Sequence, residues 1–298
     1  MSIFDTIVTR EPIDRGWSAD RKYRATAADG RIYFLRISPM ERFENRKLQF
    51  SHMCKVRDLG IRVCEPVEFG TCPEGCYQLL GWLDGRDAEP VLPELTGEQR
   101  YTLGREAGRM LRTIHSIPLP FDATPWDLRY RQKLDSKMAL YENFHLKYEK
   151  GELFLDLLRR ERHLAENRPL VWQHGDYHCG NLMLDGDLRT WVIDFDREDI
   201  GDPWYEFNRI IWDVRVGAEY ATGMLDGYFD GEIPAEFWPV LRLYLCQNMI
   251  SSLPWAADFG AEDLRLATEN AARVLEWYDD LREVVPNWYR TYQSRCNG

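Results

Sequence analysis

A polar loop of eight residues constrains the fold of this chain more than any other feature. Residues 174–181 read His-Gly-Asp-Tyr-His-Cys-Gly-Asn, and a short apolar run typical of a strand end precedes them. Two β-favouring segments follow, 182–184 and 190–193, on either side of an Asp-Gly turn at 185–186. This pattern is typical of a hairpin. The sequence therefore predicts a hairpin that returns the chain to Asp194, so that two carboxylates and one amide oxygen lie at the mouth of one small sheet.

The spacing of three polar side chains indicates phosphoryl transfer from a nucleotide. In that reaction one aspartate accepts the proton of the attacking hydroxyl, while an asparagine and a second aspartate hold Mg²⁺ on the phosphates. Asn181 stands five positions after Asp176, the same offset as in the kinase catalytic loop. With Asp194 at the hairpin return, these residues resemble the aminoglycoside phosphotransferase and choline kinase family, whose pattern is His-Gly-Asp-x-His-x-x-Asn followed by Ile-Asp-Phe/Trp-Asp.

The resemblance implies a fold and a set of roles. The fold class is α+β, a two-lobed protein-kinase-like fold with a small antiparallel β lobe that carries one helix and a larger, mostly helical lobe. We expect the nucleotide-binding lobe over residues 1–82, and the helical lobe with the catalytic loop and the substrate site over residues 83–298. Asp176 is then the catalytic base, Asn181 and Asp194 are the Mg²⁺ ligands, and ATP or GTP is the phosphate donor.

The first lobe supplies the predicted nucleotide contacts. In a kinase-like small lobe, the turn-rich segment around Ser18 lies over the phosphates, and the backbone near Gly81 and Leu83 at the lobe hinge pairs with the purine edge. Arg36 stands where kinases carry the lysine that holds the α- and β-phosphates. A guanidinium can grip phosphate with two hydrogen bonds, but it is not interchangeable with lysine. This position therefore departs from the kinase pattern.

A helix is expected directly after Arg36. Ser38 as N-cap, a proline at the first helical position and a glutamate three residues after the cap form a helix-start signal. A glycine marks the end of the helix after Leu59. In a kinase-like lobe this helix carries the carboxylate that pairs with the phosphate-binding side chain. Because Gln49 stands where that acid is expected, Glu44 is the predicted partner of Arg36.

The rest of the chain is predicted to be mostly helical. Thr96 and Gln99 form a capping box ahead of apolar residues that recur at helical spacing. Gly104 and Gly108 in that helix lower its intrinsic propensity but permit a neighbouring helix to pack closely. Further on, Asp202 precedes an apolar helix within a Gly-Asp-Pro sequence. We expect Asp202 to cap that helix or to position the catalytic loop.

The charge balance disfavours nucleic acid as a partner, and it favours either a cationic partner or simply solubility. The chain has 49 acidic and 38 basic side chains, which gives a formal net charge of −11. A protein that binds a phosphate backbone needs a basic face instead. Acidic residues near the expected cleft are predicted to bind a cationic, hydroxyl-bearing acceptor: Glu198, Asp199, Asp258, Glu262 and Asp263.

Hydropathy and cysteine usage predict a cytoplasmic protein with no membrane partner. No apolar run approaches the roughly 20 residues that cross a bilayer, and the first ten residues lack the apolar core of a signal peptide. Seven cysteines are present. Their odd number and the missing leader are typical of a reducing compartment, in which thiols stay free.

Three other functions fit parts of the pattern. A kinase of choline, another amino alcohol or a macrolide keeps the motif, and choline kinases bind a quaternary ammonium on aromatic faces; the chain has 11 tryptophans. A non-catalytic nucleotide-binding module is supported by the missing lysine, although a pure binder has no need of Asp176. A metal hydrolase that uses His174, Asp176 and His178 leaves the offsets of Asn181 and Asp194 unexplained.

Overall fold

The computed structural model describes residues 2–13, 20–119 and 123–289, which form helices and short antiparallel strands. The strands, in chain order, are β1 (Ile7–Pro12), β2 (Arg21–Ala27), β3 (Ile32–Ser38), β4 (Pro66–Cys72), β5 (Gly75–Gly81), β6 (Gly85–Asp87), β7 (Val171–Gln173), β8 (Leu182–Asp185), β9 (Thr190–Val192) and β10 (Asp199–Gly201). The α-helices are α1 (Phe43–Asp58), α2 (Ala88–Val91), α3 (Gly97–Ile114), α4 (Trp126–Asn143), α5 (Gly151–Glu161), α6 (Ile210–Val216), α7 (Ala218–Phe229), α8 (Phe237–Ala257) and α9 (Ala261–Trp277).

The chain divides into two compact units. Unit 1 comprises Met1–Ala88 and Gly180–Glu198, and unit 2 comprises Glu89–Cys179 and Asp199–Gly298. The hairpin that follows the catalytic loop is thus grouped with the first 88 residues. The predicted lobe boundary after residue 82 stays a prediction, because compact units and functional lobes are different divisions of a chain.

Unit 1 is built on a five-stranded antiparallel sheet in the order β1-β2-β3-β5-β4. Successive side chains of a strand point to opposite faces. One face carries the buried apolar core, which includes Leu35 and Leu79. On β2, β3 and β5 the residues in register on the other face are Lys22, Arg36 and Gln78. The alternation therefore separates an apolar face from a polar one, and α1 packs on the polar face through a hydrogen bond from Gln78 to its backbone.

The start of α1 differs from the sequence prediction, in which Ser38 caps the helix. Ser38 is the last residue of β3 and pairs with Cys76. A 3-10 helix, Met40–Arg42, follows, and α1 begins at Phe43 with no side-chain cap. The hydroxyl of Ser38 instead accepts a hydrogen bond from Arg46 Nε at 3.1 Å. Strand pairing therefore outweighs the local capping signal, while the predicted helix end, near Leu59, is confirmed.

The predicted hairpin after the catalytic loop is confirmed. β8 pairs antiparallel with β9, and β6 pairs with the other edge of β8. The backbone N–H of Val192 also donates to the carbonyl of Arg62 at 2.9 Å. These bonds join the hairpin to the rest of unit 1. Asp194 lies two residues beyond the end of β9.

In unit 2 the predicted capping box and close helix packing are both confirmed. Thr96 and Gln99 cap α3 reciprocally. A Cβ atom on Gly104 would lie 2.2 Å from the carbonyl oxygen of Tyr220, and one on Gly108 would lie 2.0 Å from that of Met224. Only glycine therefore lets α3 approach the backbone of α7 this closely.

Helix α8 is buried on almost all sides because it packs against α4, α5 and α9. Its buried polar residues have partners within unit 2; Arg242, for example, donates to both carboxylate oxygens of Glu161 at 2.8 and 2.9 Å. Among the helices of the described ranges, none combines the length and the apolar character that crossing a bilayer requires.

Candidate functional site

The loop that carries Asp176 is packed on a buried histidine and a buried tyrosine in unit 2. His174 follows β7 and has no exposed surface. Its Nδ1 accepts the backbone N–H of Asp176 at 3.3 Å. Its ring lies edge-on to Tyr177, with the centroids 5.6 Å apart, and the Tyr177 hydroxyl donates to the carbonyl of Ala107 at 2.7 Å. These contacts give His174 a packing role, which disfavours the metal-hydrolase alternative.

A buried glutamate binds the backbone of the same loop. Oε1 of Glu206 accepts the N–H groups of Gly175 at 2.8 Å and of Tyr177 at 3.4 Å. Its Oε2 lies 3.5 Å from Nε2 of His115, whose Nδ1 lies 2.8 Å from the hydroxyl of Tyr228. Hydrogen bonds from two amides to one carboxylate oxygen restrain the loop on both sides of Asp176. His115, which ends α3, therefore supports the loop through Glu206.

A second buried acid holds the end of the loop. Oδ1 of Asp213, on α6, accepts the backbone N–H of Cys179 at 2.8 Å, and the side chain has no exposed surface. Burial raises the pKa of Asp213 to about 8, against the opposing effect of the hydrogen bonds from Cys179. The carboxyl group is therefore largely protonated at neutral pH. A neutral acid suits this site, because no ion pair joins Asp213 to a basic residue within the described ranges.

Asp176 itself is surrounded by basic side chains of unit 2. Oδ1 of Asp176 lies 3.1 Å from Nε of Arg209 and 3.8 Å from Nε2 of His178. The His178 ring is stacked on Trp212, with the centroids 6.0 Å apart. The carboxylate keeps a partly exposed side chain. It is thus oriented by a guanidinium and remains accessible to a hydroxyl group.

In unit 1, Arg36 pairs with the segment after β9 and not with Glu44. Its Nη1 donates to Oδ1 of Asp196, and its Nη2 lies 3.8 Å from Oδ1 of Asp194. Its Nε lies 3.9 Å from Oδ2 of Asp20. Glu44 is exposed on the first turn of α1. The predicted Glu44 pair is therefore wrong, because Glu44 lies on the exposed side of α1, whereas Arg46 and Gln49 face the sheet.

Helix α1 presents Arg46 and Gln49, and no acid, to the polar face of the sheet within the part of the chain that the structure describes. Arg46 is fully buried and donates to Oδ1 of Asp196 at 2.7 Å, to the amide oxygen of Gln49 at 2.7 Å, and to Oδ2 of Asp20. Gln49 donates in turn to Asp196 at 2.6 Å. Burial by itself raises the pKa of Asp196, but Arg36 and Arg46 outweigh it and lower the pKa to about 2. Asp196 is therefore an ionised structural acid.

Asn181 and Asp194 lie next to each other in unit 1. The N–H of Ile193 donates to the backbone carbonyl of Asn181 at 3.1 Å, so Asp194 follows directly on a residue bonded to Asn181. Asp194 has φ of 61° and ψ of 63°, a left-handed conformation that is uncommon outside glycine, and its side chain is 46% exposed. Strained backbone of this kind clusters at functional sites.

These two residues fit a Mg²⁺ ion that is held mainly by phosphates. Carboxylate and amide oxygens are ligands that Mg²⁺ accepts, and it is commonly bound by one or two carboxylates together with substrate phosphates. Among the residues the structure describes, no group of three or more His, Cys, Asp or Glu side chains forms a metal cage. The donor set therefore suits a nucleotide-borne ion better than a resident one.

The predicted purine contacts are described in part. The N–H of Gly81 donates to the carbonyl of Glu65 at 2.7 Å, and that of Trp82 to the carbonyl of Ile32 at 3.3 Å. The Gly81 N–H therefore already donates a hydrogen bond within the protein. A purine would have to pair with another backbone group near Leu83. Ser18 lies outside the described residues.

The five predicted acceptor-binding acids are distributed over both units. In unit 1, Glu198 lies 2.9 Å from Nδ1 of His52. In unit 2, Asp199 accepts from Arg129 at 2.5 and 2.6 Å. Three further acids lie around the α8–α9 junction: Asp258, Glu262 and Asp263.

The acids at the α8–α9 junction differ in their partners. Glu262 pairs with Arg265 at 2.5 Å. Asp258 and Asp263 form no ion pair with any residue in the described ranges. Trp255 and Phe259 are exposed at the same junction, with their ring centroids 4.4 Å apart and the rings tilted by 37°. Acidic and aromatic side chains thus share one exposed surface of unit 2.

Sequence reasoning missed five residues that the structure brings to these sites: Asp20, Arg46, Glu206, Arg209 and Asp213. Two weak signals point to some of them. Arg46 precedes Gln49 by one helical turn, so both lie on one face of α1. Glu206 and Asp213 are acids seven residues apart, and four of the six residues between them are apolar. Polar residues at helical spacing among apolar ones indicate buried, paired groups.

Comparison with solved structures shows the fold. A choline/ethanolamine kinase family protein from Mesorhizobium loti is 16% identical, with a TM-score of 0.65 over 95% of this chain and 93% of that one. A GDP complex of aminoglycoside 2'-phosphotransferase-IIIa is 14% identical, with a TM-score of 0.67 over 90% and 92%. An aminoglycoside phosphotransferase bound to ADP and hygromycin B is 17% identical, with a TM-score of 0.66 over 91% and 95%. The predicted α+β, kinase-like fold is confirmed.

Comparison of the sequence itself shows the family. No curated protein matches the chain at a significant level. The sequence model of the phosphotransferase enzyme family matches residues 9–244, well over half of the chain. The matched range contains the catalytic loop, the hairpin and Arg36. The chain belongs to the phosphotransferase enzyme family.

Proposed function

We propose that this protein is a nucleotide-dependent small-molecule O-phosphotransferase that moves the γ-phosphate of ATP or GTP to a substrate hydroxyl with Mg²⁺. The observation that carries the proposal is the partly exposed carboxylate of Asp176, oriented by Arg209 at 3.1 Å on a loop that buried acids hold in place. A pure nucleotide binder has no use for such a group. Family membership supports the same reaction class.

Asp176 acts as the general base in this proposal. A base must lie within hydrogen-bond reach of the proton it accepts, and it must be held in place. The backbone bonds to Glu206 restrain the residues on either side of Asp176. Arg209 stabilises the ionised form that accepts the proton. The hydroxyl oxygen of the acceptor then attacks the γ-phosphorus while its proton passes to Asp176.

Asn181 and Asp194 would hold the nucleotide-borne Mg²⁺. The ion, when bound, neutralises charge between the transferred phosphate and the leaving diphosphate. Asp194 supplies a carboxylate and Asn181 an amide oxygen, and the Ile193–Asn181 backbone bond keeps them adjacent. Arg36 contributes positive charge to the phosphates, and Asp196 holds its guanidinium in place. Related structures contain ADP or GDP, which supports a nucleotide donor.

We propose an aminoglycoside-type acceptor. Proteins of the same fold are described with hygromycin B, gentamicin and kanamycin, at 13–17% identity. The net charge of −11 and the acidic surface at the α8–α9 junction suit a polycation. The described cysteines are all free thiols, which supports a reducing, cytoplasmic setting.

An amino alcohol such as choline is the second candidate acceptor. The exposed Trp255–Phe259 pair beside Asp258 favours it, because an ammonium group binds aromatic faces and carboxylates together. Two other tryptophan faces are covered by arginines of the protein itself. The guanidinium of Arg168 lies 3.7 Å from the ring centroid of Trp204, and that of Arg215 lies 5.1 Å from the Trp212 ring. Because the Arg168 guanidinium already lies on its ring, Trp204 is not available to bind the ammonium group of an acceptor.

The decisive experiment is a coupled assay of ADP and GDP release over aminoglycosides, choline, amino alcohols and macrolides, with and without Mg²⁺. We expect acceptor-dependent release with one of the cationic classes and none without Mg²⁺. Diphosphate release that no acceptor stimulates would indicate a hydrolase. Nucleotide binding without any release would indicate a binding module.

A further inference from the structure

We propose that Lys22 is a second phosphate-binding cation of the nucleotide site, acting beside Arg36 from the adjacent strand. The inference rests on the proposed nucleotide-dependent function and adds a residue to it. It concerns unit 1 alone. Lys22 and Arg36 are in register on the polar face of the sheet, and acidic side chains already bind the arginines there.

The register places Lys22 directly opposite Arg36. β2 and β3 are antiparallel, and Lys22 pairs with Arg36 in their ladder. Directly opposite residues share one face of the sheet, with Cβ atoms about 4.5–5.5 Å apart. Both side chains are partly buried. The two cationic groups thus begin side by side on the face that packs against α1.

Two like charges in this arrangement are costly unless an anion lies between them. Like charges directly opposite each other destabilise a sheet. Burial, and next the neighbouring Arg36, lower the pKa of Lys22. Three carboxylates oppose that effect, those of Asp194, Asp196 and Asp20. The lysine is therefore held in a partly desolvated position whose charge depends on nearby anions.

All three of those carboxylates also lie near arginines, and Oδ1 of Asp194 is 3.8 Å from Nη2 of Arg36. Asp196 binds both Arg36 and Arg46. Asp20 binds Arg46 and lies 3.2 Å from Arg42 Nη1. Asp194 remains the carboxylate with the most exposed side chain of the three.

Asp194 is also the proposed ligand of the nucleotide-borne Mg²⁺. An ion held there would draw on the charge of Asp194, and the nucleotide phosphates would then supply a further anion for the ammonium group of Lys22. A lysine suits such a contact because its ammonium is a compact charge on a flexible stem. The guanidinium of Arg36 is held by Asp196. The two cations therefore have different roles, since Arg36 is held in a fixed position while Lys22 is able to follow the phosphates.

The test is calorimetric titration of MgADP and of adenosine into the wild type, Lys22→Met, Lys22→Arg and Arg21→Met. Arg21 is the matched control: it is the adjacent residue of β2, it points to the other face, and its ion pair with Glu74 is exposed. We expect Lys22→Met to weaken MgADP binding about tenfold or more and adenosine binding less than twofold. Lys22→Arg should recover most of the loss, and Arg21→Met should resemble the wild type.

A labelling experiment on the unaltered protein gives a second readout. Acetylation of Lys22 by an amine-reactive reagent, followed by mass spectrometry, should slow several-fold with MgADP and not with adenosine. An Lys22→Met variant that binds MgADP like the wild type, equal losses of MgADP and adenosine, or unprotected Lys22 would each overturn the inference. A wild type that binds no nucleotide would overturn the proposed function as well.

Discussion

Nε of Arg209 lies 3.1 Å from Oδ1 of Asp176, so an arginine orients the proposed catalytic base. Both residues belong to unit 2. Arg209 directly precedes α6, and Asp213 on the first turn of α6 binds the end of the catalytic loop. The orientation of Asp176 thus depends on a helix that starts about thirty residues later in the chain.

Asp176→Asn should lower kcat by at least a hundredfold and leave the nucleotide dissociation constant within about twofold. Asparagine keeps the size of the side chain, but it cannot take the hydroxyl proton, and a positioned base contributes roughly 10²–10⁴ in rate. Steady-state kinetics and nucleotide titration measure the two effects. Asp187→Asn, on the exposed hairpin turn, is the control. A variant that keeps more than about a tenth of wild-type kcat contradicts the assignment.

Asp194→Asn should weaken Mg²⁺-dependent nucleotide binding more than Asn181→Ala does. A carboxylate contributes a full charge to the ion, whereas an amide oxygen contributes only a dipole. Asparagine is the suitable replacement because it tolerates the left-handed backbone at this position, where φ is 61°. Titration of ADP with and without Mg²⁺ into both variants measures the difference. Equal losses, or losses that persist without Mg²⁺, would refute this ranking.

The contribution of Asp213 to stability should fall as pH rises from about 4 to about 8. Burial raises the pKa of Asp213 to about 8 from an ordinary 3.8. Between these values the native state keeps a proton that the unfolded state releases, so the native state loses stability with rising pH until both are ionised. Asp213→Asn removes this contribution, which is on the order of a few kcal/mol.

The measurement for Asp213 is the difference in Tm between Asp213→Asn and the wild type at several pH values. We expect the Tm of Asp213→Asn to rise relative to that of the wild type between pH about 5 and about 8, and the difference to level off above that range. A difference that is flat across this range would show that Asp213 is already ionised in the folded protein.

The acceptor KM should rise steeply with salt, while the nucleotide KM changes less. Exposed ammonium–carboxylate pairs are each worth about 0–1 kcal/mol and are screened by ions, so several must act together. Asp258→Asn and Asp263→Asn should raise the acceptor KM more than Glu262→Gln does, because Arg265 already pairs with Glu262. Steady-state kinetics over a salt series measure both. A neutral acceptor, or an acceptor KM unaffected by salt, would remove the case for a polycation.

The features that the sequence predicted well are those that neighbouring residues settle among themselves. The hairpin of β8 and β9 follows from a turn between two β-favouring runs, and the α3 capping box follows from Thr96 and Gln99. The family pattern in the catalytic loop is likewise local. Such features depend on propensity and short-range hydrogen bonds, which a few consecutive residues determine.

The partner of Arg36 was decided only by the tertiary structure. The sequence prediction chose Glu44, eight residues away, but Asp196 lies 160 residues away and reaches Arg36 because the hairpin belongs to unit 1. Ser38 shows the same limit, since pairing with Cys76 on β5 overrides its capping signal. A buried charge takes whichever opposite charge the packed chain brings to it, because leaving it unpaired costs several kcal/mol. Local sequence therefore determined where the reactive side chains lie along this chain, and long-range packing determined which charges hold them.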